Sequence, residues 1–315
     1  LKPLEIKKYN LKTKQNLLRL IKRDAVAYLM LAPKLILMLM FTVYPIFWAL
    51  RFIFYDYNGV SKAVFIGFDN IVRAFTRDLM WWKSVLNTFV YAFGKLSIEI
   101  PLAMVLAVIL NTKIKGRGFF RSVFFLPTVT SAAVISLVFT FIYSPYNGAL
   151  NSILHSFGFI KNPNVDWLGD EKLAMISVII VGVWHAFGQN MILILSGLQG
   201  IPTDVYESAK IDGASSVQAF FKITLPLLAP MLQLILMIAI IGSLSAFDSV
   251  FVLTGGGPNY ATQLKGITIY QQFFAADKSP MYGYGATLAV ISSVVVGLLT
   301  IFYLQASKKM KNIDQ

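Results

Sequence analysis

Apolar residues along this chain gather in long blocks, not in the alternating or three-and-four spacing of half-buried soluble elements. Six blocks stand out, at 25–54, 84–110, 119–143, 173–198, 223–247 and 286–304. Some 20 apolar residues at helical rise cross the ~30 Å hydrocarbon core of a bilayer, so each block predicts a membrane-spanning helix. The expected fold is all-α: a polytopic membrane protein with six transmembrane helices. The first block is longer than a bilayer requires, so Ala25–Pro33 is expected at the interface, with Lys34 reaching back to the surface. Pro45, Pro101, Pro127, Pro226 and Pro230 predict kinks or helix starts, which membranes tolerate when neighbours satisfy the freed backbone groups.

Polar residues between the blocks set the orientation. Residues 1–24 form a basic segment carrying Lys2, Lys7, Lys8, Lys12, Lys14, Arg19, Lys22 and Arg23. The connection between the second and third blocks carries Lys113, Lys115, Arg117 and Arg121, and the tail carries Lys308, Lys309 and Lys311. Six spans place all three on one side, and the bias of Lys and Arg toward cytoplasmic loops makes that side the cytoplasm, with both termini there. Connections 55–83, 144–172 and 248–285 then face outward and are less basic. In 148–159, Leu150, Ile153, Leu154 and Phe157 recur at helical spacing, which predicts a short helix resting on the membrane or docking a partner. The first block exceeds the apolar stretch of a signal peptide, and no small-residue cleavage site follows it. Residues 25–315 are read as one transmembrane domain.

Composition strengthens the membrane assignment. The chain is 57% hydrophobic and 14% charged, against about a quarter charged in soluble domains, and its mean hydropathy is +0.66. The net charge of +13 could suggest a nucleic-acid partner. The cations flank the blocks, however, where membrane lipid attracts them, so no nucleic acid is expected. With no cysteine and only His155 and His185, no disulfide or metal site is expected. No nucleophile has a base beside it, so no catalytic residue is expected.

The stretch 200–226 is unusual for a connector between spans. Pro202 and Thr203 predict a helix start, with Asp204 at its positive end. Val205, Ala209 and Ala214 form one face, and Glu207, Lys210 and Asp212 decorate the rest. Gly213 stands where a left-handed residue or a close contact is expected. A second amphipathic stretch, SSVQAFFKI, runs into Leu225-Pro226. The pattern predicts a helix–turn–helix outside the membrane. Ser208, Ala209 and Gly213 would let another surface approach, and Glu207 and Asp212 would pair with its cations. A solvated connector is the alternative.

Polar groups inside the blocks are candidates for a solute path, since each is costly at membrane depth. Lys95 and Glu99 share a helical face four residues apart, as a structural ion pair or a proton relay. Block four holds Trp184, His185, Gln189 and Asn190; the first three can cluster. Aromatic faces and planar hydrogen-bonding groups suit carbohydrate, although such residues also bond helix to helix. Asp248 ends block five, and GGGPNY then offers a tight turn with Asn259 and Tyr260, as a path element or as a rigid packing loop.

The string LQGIPTDVYESAKIDGA, followed by ITLP, resembles the EAA motif of permease subunits of bacterial ABC importers, through Glu207, Ala209, Asp212, Gly213, Ile223, Leu225 and Pro226. It departs at Ser208, where the family has Ala, and the side chain stays small. LNTKIKGRGFFRSVFFLP, YSPYNGALNSILHSFG and FDSVFVLTGGGPNYAT are similar to the carbohydrate branch, in its F-type, maltose-importer-like permease. The likeness covers about residues 84–304. It implies the type I ABC importer transmembrane fold, a second homologous permease, two cytoplasmic ATPase subunits and an extracytoplasmic solute-binding protein. It also implies that Glu207–Gly213 fits a cleft of the ATPase. The chain has no GxxxxGK[ST] phosphate loop, so ATP and Mg are expected on the partner and no cofactor on this chain. A proton- or ion-coupled secondary transporter using Lys95 and Glu99, and a membrane scaffold, are the alternatives.

Overall fold

The structure is a computed structural model that describes residues 25–274 and 279–311, with side chains placed through Ser307. The basic segment 1–24 and the side chains of Lys308, Lys309 and Lys311 lie outside the described residues.

Helix α1 runs over Ala25–Phe54, through a π-helical turn at Leu39–Val43, and ends in a 3-10 turn. A two-stranded antiparallel hairpin follows, β1 (Tyr55–Asp56) against β2 (Val64–Phe65), with Tyr55 opposite Phe65. Asn58 Oδ1 shapes its turn by accepting from the backbone N–H groups of Val60 and Ser61. Helix α2 (Asp69–Thr76) is tied back to α1 by Asn70, whose amide donates to the carbonyls of Ile53 and Tyr55.

Helix α3 (Leu79–Asn111) starts five residues before the apolar block does. Asp78 explains the early start, because its carboxylate caps the first turn by accepting from Trp81 N at 2.9 Å. Asp170 caps α7 (Glu171–Gln199) the same way, accepting from the N–H groups of Lys172 and Leu173.

The third predicted span is not one helix. It divides into α4 (Arg117–Val129) and α5 (Ala132–Ile142), which meet at 97°. Thr130 is extended, with ψ 144°, and Ser131 follows at ψ 131°, so the helical hydrogen bonds stop just beyond Pro127. The kink expected at Pro127 within the 119–143 block is a full break between two helices.

Helix α6 (Ala149–Ser156) forms within the predicted 148–159 stretch. Asn151 fastens it, donating to Val165 O and accepting from Trp167 Nε1. Beyond α7 come α8 (Thr203–Ile211) and α9 (Ser216–Ala219), then a π-helical turn at Phe220–Thr224 that flows into α10 (Leu225–Leu244). Helices α11 (Asp248–Thr254), α12 (Lys265–Phe274) and α13 (Tyr282–Lys311) complete the chain.

Helix α7 is the centre of the bundle. Its buried stripe packs on α3, α4 and α10, and its first half also meets α5 and α11. Gly188 lets α4 come close, since a Cβ there would strike the Phe124 carbonyl. Two apolar clusters stack along α7. One joins Val178, Val181 and Val183 to Tyr91, Ile135 and Val250, and the other joins Met191, Ile194 and Leu198 to Ala107 and Leu228. The bundle thus has a basic end, with residues 111–117 and 200–216, and a loop end, with the hairpin, α2, α6 and the 255–264 loop. Helix α1 joins the bundle by its last turn, where Phe52 and Ile53 are buried, and no residue of Ala25–Leu50 is buried.

Candidate functional site

At the basic end, α8 begins at Thr203 after Pro202, and it carries Asp204 in its first turn. It stops at Asp212, and Gly213 turns the chain at φ +77° with nothing within 4 Å of where a Cβ would sit. The left-handed residue expected from the sequence is therefore Gly213. Its N–H donates to Lys210 O, and Ala214 N donates to Ala209 O, which closes the helix. The next helix opens on a capping box that the sequence reading passed over: Gln218 N donates to Ser215 Oγ, and Ser215 N donates to Gln218 Oε1. The spacing Ser-x-x-Gln was its legible signal.

Side chains of this elbow divide into two sets. Ala209 is 7% exposed and lines the cleft behind the elbow, so it faces its own chain and does not offer itself to another. Glu207, Ser208, Asp212 and Gly213 are exposed on the outside. No ion pair engages Glu207 or Asp212 among the described residues. Behind the elbow a cleft of about 500 Å³ separates it from the end of α3, lined by Asn111, Thr112, Lys210 and Phe220. Tyr206 and Thr224 join across 3.0 Å between their hydroxyls and fasten α8 to the π-helical turn.

Inside the bundle, Lys95 Nζ lies 2.5 Å from Glu99 Oε2 and donates to Ser243 Oγ at 3.1 Å. Asn190 donates its amide to Glu99 Oε1. One ion pair thereby ties α3 to α7 and α10, with Glu99 1% exposed. Asn190 is 5% exposed and belongs to this lattice, apart from the Trp184, His185 and Gln189 set. Six residues separate it from Trp184, roughly 240° around the helix.

His185 faces the α4–α5 break. Its Nε2 is 3.2 Å from Thr130 O, and the hydrogen must be on that nitrogen because a carbonyl only accepts. Thr128 Oγ1 returns a hydrogen bond to His185 O at 3.0 Å. The break leaves backbone groups without helical partners, and α7 supplies them. Trp184, 42% exposed, stands edge-on to Phe139 at 5.4 Å. With Phe187 and Pro127 it lines an apolar groove of about 980 Å³ in the crook of the break. Gln189 is exposed on α7, one turn from His185.

The loop end holds the remaining expected residues, apart from the first set. Asp248 is the exposed first residue of α11. Asn259 and Tyr260 take φ +43° and +60° after the cis Gly257–Pro258 bond. Asn259 donates to Glu171 Oε1 at 3.0 Å, and Lys83 and Asn87 donate to the backbone carbonyls of Asn259 and Tyr260. The GGGPNY segment is thus braced to α3 and α7. Lys265, where α12 begins, donates to Ser292 Oγ at 2.6 Å, and burial pulls its ammonium below the ordinary lysine pKa.

Tyr260 also edges a cavity of about 560 Å³, with Arg73, Asp78, Gln263, Gln271 and Gln272. Apart from Tyr260 these residues were not singled out from sequence. Two adjacent glutamines between aromatic residues, in IYQQFF, were the available signal.

Comparison with known proteins places this architecture. The family model described as "Binding-protein-dependent transport system inner membrane component" matches residues 99–311. The multiple sugar-binding transport system permease protein MsmF of Streptococcus mutans is 36% identical over 278 residues, covering 88% of this chain and 93% of the relative. The trehalose/maltose transport system permease protein MalF of Thermococcus litoralis is 33% identical over 284 residues, covering 89% and 93%. The probable ABC transporter permease protein YurN of Bacillus subtilis is 34% identical, covering 91% and 97%. Among solved structures, a bacterial ABC transporter involved in import of the acidic polysaccharide alginate superposes with TM-score 0.81 at 25% identity, covering 93% of this chain and 99% of that one. The fold is that of type I importer permeases, and the match spans the α3–α7–α10 core, the exposed elbow and the last helix. With its broken third span and its stacked apolar helices, this multi-pass chain belongs to the family of inner-membrane components of binding-protein-dependent transport systems.

Proposed function

We propose that this chain is one of two related permeases of a carbohydrate importer, and that its α8–α9 elbow receives the movement of a cytoplasmic ATPase. The single observation that carries this reading is the split face of the elbow. Ala209 anchors it inward while Glu207, Ser208, Asp212 and Gly213 stand free. Small residues and unpaired carboxylates suit insertion into a cation-lined cleft, and the charges fix its orientation. Force on such an elbow passes through the π-helical turn into α10, and through Gly200 into α7.

In this reading the basic end is cytoplasmic, and both termini lie there. Two ATPase subunits bind ATP and Mg, and this chain binds neither. A second permease covers part of the uncovered α1, lipid covers the remainder, and a solute-binding protein delivers sugar to the loop end. The sugar relatives support carbohydrate as the solute class. Trp184, His185 and Gln189 line the path near the α4–α5 break, with Asp248, Asn259 and Tyr260 toward its outer mouth; Asn190 supports the path from behind.

Gly213→Arg tests the elbow. A bulky cation at a left-handed position is strained and repels the same cations that Glu207 attracts. The expected result is loss of ATPase co-purification and of sugar uptake, with unchanged amounts of permease in the membrane. Gly213→Asn, which tolerates the same backbone conformation, should retain both. Retention of ATPase binding and uptake in the Arg variant would exclude the elbow as the coupling element.

A further inference from the structure

The 560 Å³ cavity at the loop end lies between Arg73 of α2, Asp78 at the cap of α3, Phe251 of α11 and the length of α12. Its volume falls within the roughly 300–1,000 Å³ of small-molecule sites. Its polar groups are fixed in place. Gln263, 5% exposed, donates from Nε2 to Thr268 Oγ1 at 3.2 Å and to Gln271 Oε1 at 2.7 Å. The Gln271 amide is therefore oriented, and its own N–H donors have no partner among the described residues. Gln272 Oε1 is buried and likewise lacks a donor.

Charge and apolar surface complete the lining. Arg73 stacks over Tyr284 at 4.0 Å and is in no ion pair among the described residues. Asp78 Oδ2 accepts from Tyr284 OH at 2.6 Å, so cation and carboxylate flank the same ring and offset each other. Phe251, Tyr270 and Phe274 follow one another at 5.0 Å between centroids and build an aromatic wall. A fixed amide beside an aromatic wall suits a sugar ring, whose rim hydroxyls both donate and accept while its C–H face is apolar. The offset of Arg73 by Asp78 favours a neutral ring over a uronate.

We propose that this cavity is a neutral-saccharide site at the loop end, separate from the groove at the α4–α5 break, where solute rests before entering the membrane path. The site deepens the importer reading and rests on it.

The absence of cysteine from the chain supplies the test. Met80→Cys sits on the rim of the cavity and carries none of its hydrogen bonds. Val60→Cys, at a position 94% exposed on the hairpin turn, is the control. The full transporter in membranes is treated with a charged methanethiosulfonate in the presence of glucose, maltose, raffinose, xylobiose or trigalacturonate, and uptake of each sugar is measured in parallel. A sugar held at about ten times its Kd should slow labelling of Met80→Cys about tenfold and leave Val60→Cys unchanged. Adding Gln271→Ala should remove the protection. Uptake of a neutral sugar without protection overturns the site and leaves the importer reading standing. Protection without uptake keeps the site and refutes the importer reading, and absence of both refutes both. Protection by trigalacturonate alone overturns the neutral assignment. Protection by sugar-free binding protein overturns the site in favour of a receptor-docking surface.

Discussion

Glu99 meets Lys95 on its own helix and Asn190 on α7, and through Lys95 it reaches Ser243 on α10. Removing one member of a buried pair leaves an uncompensated charge, which costs about 3–5 kcal/mol, whereas removing both is often close to neutral. Glu99→Gln and Lys95→Met should each lower the melting temperature of the detergent-purified chain, and the double variant should recover most of the loss. Additive losses in the double variant would mean that the pair does not act as a unit. A relay role for the pair would instead appear as pH-dependent uptake abolished by Glu99→Gln. The spacing of Lys95 and Glu99 was legible in the sequence, because four residues place two side chains on one helical face. Asn190 and Ser243 were not legible as their partners. They stand 91 and 148 residues away from the atoms they meet, and only helix packing decides such neighbours. Gly213 is the opposite case: a helix end within one short stretch pointed to a left-handed residue or a close contact there, and the backbone takes the first.

At the scale of elements, apolar blocks located the spans because length and hydropathy act locally. The break between α4 and α5 escaped that reading. Pro127 warned of a kink, yet membrane helices commonly absorb a proline without breaking. A bend of 97° requires a neighbour to satisfy the backbone it frees, and that neighbour is His185 at Thr130 O. His185 thus bonds α7 to the broken span, the helix-to-helix role that VWHAFGQN left open beside the carbohydrate one, though the sequence did not show which partner it meets. Replacing it by Leu leaves the Thr130 carbonyl unpaired, a loss of about 1–3 kcal/mol. Hydrogen exchange over residues 128–134 should quicken in His185→Leu, with exchange in α3 unchanged. His185→Gln, which can still donate to the carbonyl, should restore the slow exchange. Equal exchange in the Leu variant and the parent would show that the break holds without this brace. The α8–α9 elbow was legible at this scale because its polar and small residues interrupt two apolar blocks, although the burial of Ala209 at the cleft behind it was not.

For the whole molecule, orientation decides whether the elbow can meet an ATPase and whether the saccharide cavity can meet incoming solute. Both follow from a single asymmetry. Lys113, Lys115, Arg117 and Arg121 crowd one short connection at one end of the bundle, while at the loop end Lys62, Arg73, Arg77, Lys83, Lys161, Lys172 and Lys265 are spread over longer connections. Short connections dense in Lys and Arg stay on the cytoplasmic side during insertion, and longer, less densely basic ones cross. The chain should therefore enter the membrane with the hairpin outside. Thiol labelling in intact cells reads this directly, since Val60→Cys and Lys113→Cys each give the chain a single cysteine. A membrane-impermeant maleimide should modify Val60→Cys in intact cells and Lys113→Cys only after permeabilisation. The reverse pattern would set Glu207 and Asp212 outside, beyond the reach of any cytoplasmic ATPase, and would place the Arg73–Gln271 cavity where imported sugar leaves. One experiment at the scale of the chain thus bears on both sites, because the bundle sets the elbow and the cavity at its opposite ends.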